Sequence, residues 1–386
     1  MKSLFVTYAD RGKYRNLKTE DIAGVIDYFE NKKAIFGVIS RIGTDKKKDF
    51  YQYSALPLFL HFLIAGFGKF FKDFPSRKIE EYFFDFFASK FILKDKIVFF
   101  HPPKFPKTIN INKTNNNLCI GIAVNSHPLH TESLMKKELE KNNIKIIPKN
   151  TIEADYAFNM DYLIALSPFS KKTYVENGYP ENKIFVANLD INTERFVPLK
   201  KNENYFTVVF PASNIGILKG LQYVLDAWQE FDIPNKKLII LGKKNLWPIE
   251  MKEKYEKIIK KDISIKELGI VNNPEFILGS SDVTILPSFT EGFSRSVAES
   301  MSCGVPVITT KNATDTENFF QDRKHGIIVR EGESDDILKA LNYLYSNKEE
   351  CIDMGVASRE AVLKKECFNE KVFCIYENIL KIENIK

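Results

Sequence analysis

Two carboxylates, Glu291 and Glu299, stand eight positions apart in PSFTEGFSRSVAESMSCGVPVIT, which spans Pro287 to Thr309. The first falls in a loop after a short apolar run, and the second inside Ser294 to Ser302, whose pattern predicts a helix. A helix starting near Ser294 puts Glu299 ~8 Å along its axis at ~1.5 Å per residue, so the pair can grip two ends of an elongated ligand. The backbone amides of Gly292 and Phe293 beside the helix start favour a phosphate or a hydroxyl-bearing anionic group. Read in isolation, the same glutamates also fit a solvated helix carboxylate and a helix-start carboxylate. Glycosidase-type acid and nucleophile roles need carboxylates flanking one bond, which two groups spread along one helix suit poorly. A cation stands at Lys219, followed by Gly220, at the start of the helical stretch in NIGILKGLQYVLDAW. Lysine can meet a diphosphate as a point charge; alone, it also reads as a solvated helix-start residue.

These residues need a scaffold that presents loops from strand ends. From Tyr205 onward, short β-branched runs alternate with amphipathic helical stretches, the sequence form of a parallel α/β sheet. Phe206 to Phe210 and Lys237 to Leu241 read as strands around a helix carrying Leu221, Val224, Leu225, Trp228 and Phe231. Val283 to Leu286 and Val305 to Thr309 bracket the helix of Glu299, with Gly304 as its cap. In the first half, Leu4 to Tyr8, Lys96 to Phe100, Leu118 to Val124 and Tyr162 to Leu166 read as buried strands. The polar stretch Val197 to Asn204 reads as a linker, and Glu370 to Ile382 as a helix needing a surface to cover. The expected division is residues 1–200, 201–370 and a terminal helix 371–386 that packs back on the first domain.

The run from Pro287 resembles the retaining GT-B glycosyltransferases of family four, the group 1 glycosyltransferases, in its Pro-Ser, Glu-Gly-Phe and second glutamate eight positions on. The following Ser300-Met301-Ser302-Cys303-Gly304-Val305-Pro306-Val307-Ile308 continues the match, and the resemblance covers roughly Lys96 to Leu363. It implies a GT-B architecture, two Rossmann-like α/β domains facing a cleft, with the nucleotide sugar held mainly by the second. It also implies that Glu291 and the Gly292 to Ser294 backbone address donor sugar and phosphates, that Glu299 takes the ribose hydroxyls, and that Lys219 and Gly220 meet the diphosphate. The family's arginine five positions before the lysine is replaced by Asn214, and a common glycine by Ser213; Lys243 and Lys244 are the lysines available to compensate. In the stretch ending NLDINTERF, Asp190 and Asn192 stand where the family has glycine and aspartate.

By the same resemblance, His127 in NSHPLH occupies the place of a cleft histidine near the donor sugar, with a loop-satisfied structural histidine as the alternative. The basic loop Arg11-Gly12-Lys13 would face the cleft and meet donor phosphate or acceptor. No Asp-x-Asp triplet occurs and the five histidines form no ligand pair at helical spacing, so no metal and no cofactor are expected. Electrostatic stabilisation of the leaving nucleoside diphosphate would replace the metal.

Composition agrees with an ordinary globular chain: 386 residues, 44% hydrophobic, net charge +6, and five cysteines without a CxxC pair, which excludes a disulfide framework. The small basic excess suits anionic ligands and gives no reason to expect nucleic acid. Met1 to Tyr8 lacks a secretory pattern, so a cytoplasmic protein is expected. Between Phe50 and Phe91, ten phenylalanines (Phe59, Phe62, Phe67, Phe70, Phe71, Phe74, Phe83, Phe84, Phe86, Phe87) interleave with lysines. They read either as core or as an amphipathic surface making peripheral contact with the inner face of a membrane, where a lipid-linked or other glycan acceptor would be met. The sequence therefore reads as a glycosyltransferase of the polysaccharide-biosynthesis kind. A non-catalytic nucleotide-sugar-binding subunit, or an epimerase or phosphorylase of the same fold, remains as the alternative.

Overall fold

The computed structural model describes residues 3–7, 21–40, 51–54, 64, 76–90, 94, 96–101, 103, 105–144 and 157–385. Two sheets organise them. The first contains β1 (Ser3–Thr7), β2 (Ile35–Ser40), β3 (Tyr51–Ser54), β4 (Ile97–His101), β5 (Leu118–Ala123), β6 (Tyr162–Ala165) and β7 (Ile184–Val186), ordered β3-β2-β1-β4-β5-β6-β7. The second contains β8 (Phe206–Gly216), β9 (Lys236–Leu246), β10 (Ile265–Gly269), β11 (Val283–Leu286), β12 (Val307–Thr309) and β13 (Gly326–Ile328), ordered β10-β9-β8-β11-β12-β13. Neighbouring strands pair in parallel throughout.

Parallel neighbours need crossovers, and helices supply them. Around the first sheet run α1 (Asp21–Asn31), α2 (Ser76–Ala88), α3 (Pro106–Thr114), α4 (Pro128–Lys141) and α5 (Pro168–Glu176). Around the second run α6 (Leu221–Glu230), α7 (Ile249–Lys261), α8 (Pro274–Gly279), α9 (Arg295–Ser302), α10 (Ser334–Ser346) and α11 (Lys348–Leu363), and α12 (Phe368–Ile382) closes the described chain. With helices on both faces, β6, β11 and β12 are buried at every position, which is why they read as unbroken apolar runs. The strand order reverses between β1 and β4 and again between β8 and β11. In such sheets ligands bind outside the carboxyl ends of the strands at these reversals.

Three features depart from the sequence pattern. β8 and β9 extend past Phe210 and Leu241 to Gly216 and Leu246, with register shifts on either side of Asn214. The extension depends on Gly242, at φ +111°, where a Cβ would stand 1.6 Å from the Ala212 carbonyl oxygen. Polar residues beyond a tight glycine contact read as loop because the contact is invisible along the chain. The stretch after Phe196 does not hang free, since Leu199 N–H donates to the Gly279 carbonyl at the end of α8 (2.9 Å). Asp190 carries a structural duty: its carboxylate accepts from Phe368 N–H at the start of α12 (2.8 Å) and pairs with Lys365 (3.3 Å).

From that anchor α12 returns to the first sheet and packs on α1. The Phe373 and Tyr376 rings each lie 5.0 Å from Phe29, and Tyr376 lies 6.1 Å from Phe99 on β4. Tyr162 of β6 donates to Glu383 just past the helix end (2.6 Å). Of the aromatic segment, Phe84 is buried against Phe105 (4.7 Å) whereas Phe86 is exposed; Phe59, Phe62, Phe67, Phe70, Phe71 and Phe74 lie outside the described residues. All five cysteines are free thiols.

Phe29 is the hub of the α1–α12 contact and has no exposed surface. Phe29→Ala is expected to lower the unfolding free energy by about 3–5 kcal/mol, as large-to-small substitution in a filled core does. Urea denaturation checks it, and a loss under about 1 kcal/mol would mean that the helix is not held by this cluster.

Candidate functional site

Two loops leave the carboxyl ends of β8 and β11, the adjacent strands at the reversal of the second sheet. After β8 the chain makes a short 3-10 turn, Ile217–Lys219, and enters α6 through Gly220 at φ +77°. A Cβ on Gly220 would stand 2.4 Å from the Pro287 carbonyl oxygen, so glycine there lets the two loops touch. Polar contacts fix their registry: Phe289 N–H donates to the Leu218 carbonyl (2.8 Å), and the buried Ser288 hydroxyl donates to the same carbonyl (3.1 Å). From the other side, Glu291 N–H donates to Asn312 O and Ser294 N–H to Ala313 O, both at 3.1 Å, and the Thr310 hydroxyl donates to Ser288 O (2.5 Å).

This clamp brings Lys219 and Glu291 together across 72 residues of sequence, and the ammonium donates to the Glu291 carboxylate. Glu291 is the more enclosed partner, with 14% of its side chain exposed against 30% for Lys219. Ser294 is the N-cap of α9, its hydroxyl accepting from Val297 N–H (3.3 Å), and Phe293 is buried against Phe319 (5.8 Å between rings). Glu299 lies within α9 and pairs with Arg295 one turn earlier (3.6 Å). Gly304 follows the helix at φ +67°, the left-handed position at which helices commonly end.

Asn214 is exposed near the end of β8, and its register partner on β9 is Lys243, also exposed. Lys244 is engaged with Glu267 (2.6 Å). Of the two lysines considered as replacements for the missing arginine, Lys243 is the one placed opposite Asn214.

The first sheet closes the other side. A Cβ on Gly292 would stand 2.0 Å from the Val124 carbonyl oxygen, so the Glu291–Gly292 backbone rests directly on the loop after β5. Ser126 and Thr290 share a hydrogen bond across the same seam. His127 caps α4, its Nδ1 accepting from Leu129 N–H (3.3 Å) while its backbone N–H donates to the Thr173 hydroxyl (2.9 Å). The imidazole is fully buried, its ring 5.1 Å from Tyr174 and 5.8 Å from Phe158. Contact between this ring and a sugar therefore requires that aromatic cage to open. Gly12, with Arg11 and Lys13, lies outside the described residues. Among the described residues, no three His, Cys, Asp or Glu side chains converge as a metal site.

A cavity of about 720 Å³ opens elsewhere along the seam, between Val186–Asn188, the stretch 315–325 and the α11–α12 elbow. Three of its lysines meet acids, Lys365 with Asp190 (3.3 Å), Lys364 with Glu360 (3.1 Å) and Lys371 with Glu366 (2.8 Å). Neither Lys219 nor Glu291 lines it. The strand-order reversal locates the site better than the size of this opening does.

Sequence reasoning did not anticipate the partner contacts Ser126–Thr290 and Glu138–Tyr223. Tyr223 on α6 donates to the buried Glu138 of α4 (2.8 Å), and the neighbouring Lys141 donates to Gly332 O (3.1 Å) while standing 4.8 Å over the Tyr223 ring. No local pattern pairs a glutamate with a tyrosine 85 positions away.

Comparison with known proteins agrees with this fold. Residues 190–361 match the family of glycosyl transferases group 1. An uncharacterized glycosyltransferase of Haemophilus influenzae is 23% identical over 224 residues, 57% of this chain and 61% of that protein, so less than two thirds of the relative is spanned. The UDP-Gal:α-D-GlcNAc-diphosphoundecaprenol α-1,3-galactosyltransferase of Escherichia coli is 24% identical over 289 residues, 69% of each chain. The crystal structure of Anabaena HepE in complex with UDP superposes with a TM-score of 0.65, covering 98% of this chain and 100% of its own at 14% identity. The chain thus has the GT-B fold, and residues 190–361 are similar to the group 1 glycosyl transferases.

Burial holds the Glu138 carboxyl above the usual carboxylate range, against the opposing pull of Tyr223, Lys141 and Gln222. The folded protein keeps this proton at pH values where the unfolded chain has released it, so stability falls as pH rises from about 4 through the raised value. Glu138→Gln is expected to remove that fall. Thermal melting of both proteins between about pH 4 and pH 8 should show a midpoint difference that grows with pH in favour of the variant; parallel curves would show that no buried charge is coupled to folding here.

Proposed function

We propose that the chain is a retaining glycosyltransferase that moves a sugar from a nucleotide-sugar donor to a hydroxyl of a glycan or lipid-linked acceptor, without a metal ion. The observation that carries this reading is the Lys219–Glu291 pair at the β8/β11 reversal, with the α9 N-terminus beside it. A donor diphosphate placed against Lys219 would compete with Glu291 for the ammonium. Glu291, released, then has a carboxylate to accept from sugar hydroxyls, while Glu299 is the acceptor for the ribose hydroxyls.

As the bond between the sugar's anomeric carbon and the diphosphate breaks, negative charge grows on the departing phosphate oxygens. Lys219, once released from Glu291, together with Lys243 and the amides of Gly292 and Phe293, would meet that charge from positions set by the fold. No side chain is assigned as a nucleophile. His127 and Asn214 act in this reading on the shape of the cleft, His127 by capping α4 beside the seam and Asn214 by standing in register with Lys243. Gly292 packs against the Val124 loop, and closure of the cleft at this contact would exclude water and favour transfer over hydrolysis. A uridine nucleotide is the first candidate, because the E. coli relative takes UDP-Gal and the HepE structure holds UDP. The same relative's diphosphoundecaprenol-linked substrate supports a lipid-linked acceptor in envelope or surface polysaccharide assembly.

Titration calorimetry with UDP, GDP and ADP in the presence of a chelator is expected to show one nucleotide binding in the micromolar range. Glu299→Gln should weaken that binding about tenfold or more, the worth of a charged hydrogen bond. Binding of none of the three, or equal affinity in the variant, would remove the ribose assignment.

Lys219→Ala should leave the fold intact and slow transfer by about 10²-fold or more, the scale of losing one preorganised charge on a leaving group. Initial-rate measurements with the best donor check this, and a variant at full rate would take Lys219 out of the site.

A further inference from the structure

α2 presents two faces. Inward, Phe84 and Ala88 are fully buried, and the Asp85 carboxylate accepts from Lys107 N–H (3.0 Å), Thr108 N–H (2.9 Å) and the Thr108 hydroxyl (2.8 Å), holding the first turn of α3. Outward, Lys78, Tyr82, Phe86 and Lys90 follow at successive intervals of four and are all exposed. Tyr82 exposes 58% of its surface and Phe86 39%, high for rings a folded chain could have turned inward.

Ammonium groups stand over both rings. The Lys107 Nζ lies 4.3 Å from the Tyr82 centroid and 5.5 Å from that of Phe86, and the Lys90 Nζ lies 4.9 Å from that of Phe86. Among the described residues the fully exposed charges here are basic: Lys78, Lys90, Lys94 and Lys107 are exposed, while Glu80 and Asp85 are buried and Glu81 is half-buried. α3 begins five residues past the end of β4, so Lys107 stands at the carboxyl edge of the first sheet, the edge at which the site lies.

We propose that this α2–α3 surface docks the protein on an anionic lipid bilayer. Tyr82 and Phe86 enter the interfacial layer, and the long stems of Lys78, Lys90 and Lys107 carry their ammonium groups up to lipid phosphates. Two rings ringed by lysine are a small area for a stable protein–protein interface, which buries about 800 Å² per partner, yet they suit reversible attachment to a charged surface. Docking at this edge would bring the cleft to a membrane-borne acceptor. The proposal does not require the donor assignment to be right, since its measurement involves no turnover.

The test is co-sedimentation of the full chain with phosphatidylglycerol-containing vesicles and with pure phosphatidylcholine vesicles. Binding is expected to the first and to be at least about tenfold weaker to the second. Lys90→Glu/Lys107→Glu should weaken binding to the anionic vesicles about thirtyfold or more, and Tyr82→Ser/Phe86→Ser should weaken it as well. Lys257→Glu/Lys260→Glu on α7 makes the same charge change elsewhere and should bind far more like the parent. Circular dichroism melting of each variant establishes that it is folded. No binding to anionic vesicles, equal binding to neutral ones, or equal loss in the α7 variant would overturn the proposal, the last by reducing the effect to net charge. An acidic protein as the true partner would appear as the first of these.

Discussion

The site depends on a contact between backbones. Gly292 lies so close to the Val124 carbonyl that a methyl group would overlap it, and Gly220 is as tightly set against Pro287. These approaches let three loops from two sheets share one small volume. Had either position carried a side chain, the loops would stand apart, and the charge on Lys219 would face water instead of the Glu291 carboxylate. The arrangement also explains why backbone groups do so much of the positioning. Leu218 O, Asn312 O and Ala313 O take the hydrogen bonds of the loop that carries Glu291, so that side chain is aimed by a clamped main chain.

A lysine and a glutamate held against each other are an economical way to prepare a diphosphate site. The pair keeps a partly enclosed cation neutralised, and a bound anion can take the glutamate's place at the ammonium. In the proposed reaction, leaving-group charge would then be met by groups placed by the fold, an effective form of electrostatic help. Asn214 fits this scheme through its neighbour. Parallel pairing of β8 with β9 sets Lys243 opposite it, so a cation stands beside the position at which the resemblance implied an arginine, though on another strand.

The two halves are joined by more than a linker. The buried Glu138–Tyr223 bond and the Lys141–Gly332 contact tie α4 to the second domain near the site, while Asp190 and α12 tie the far side. Separation of α4 from α6 would have to break the first set. A carboxyl whose proton affinity is raised by burial is a reasonable element for such a contact, because neutralised it costs little to keep inside.

The alternation of strands and helices in the second half and the helix start at Ser294 were legible from the chain alone. Those features are local: apolar period and capping chemistry. The same local logic could not show that Lys219 meets Glu291, that Lys243 rather than Lys244 lies opposite Asn214, or that His127 is caged by Tyr174 and Phe158. It also could not divide the phenylalanine-rich segment, in which Phe84 turns inward and Phe86 outward. Each of these was decided by packing between segments far apart in sequence, where burial selects the rotamer and partner and the period of the chain carries no information. Chemistry was written in residue type and spacing; which charges are paired, and which surfaces are left for something else to cover, came from the tertiary structure.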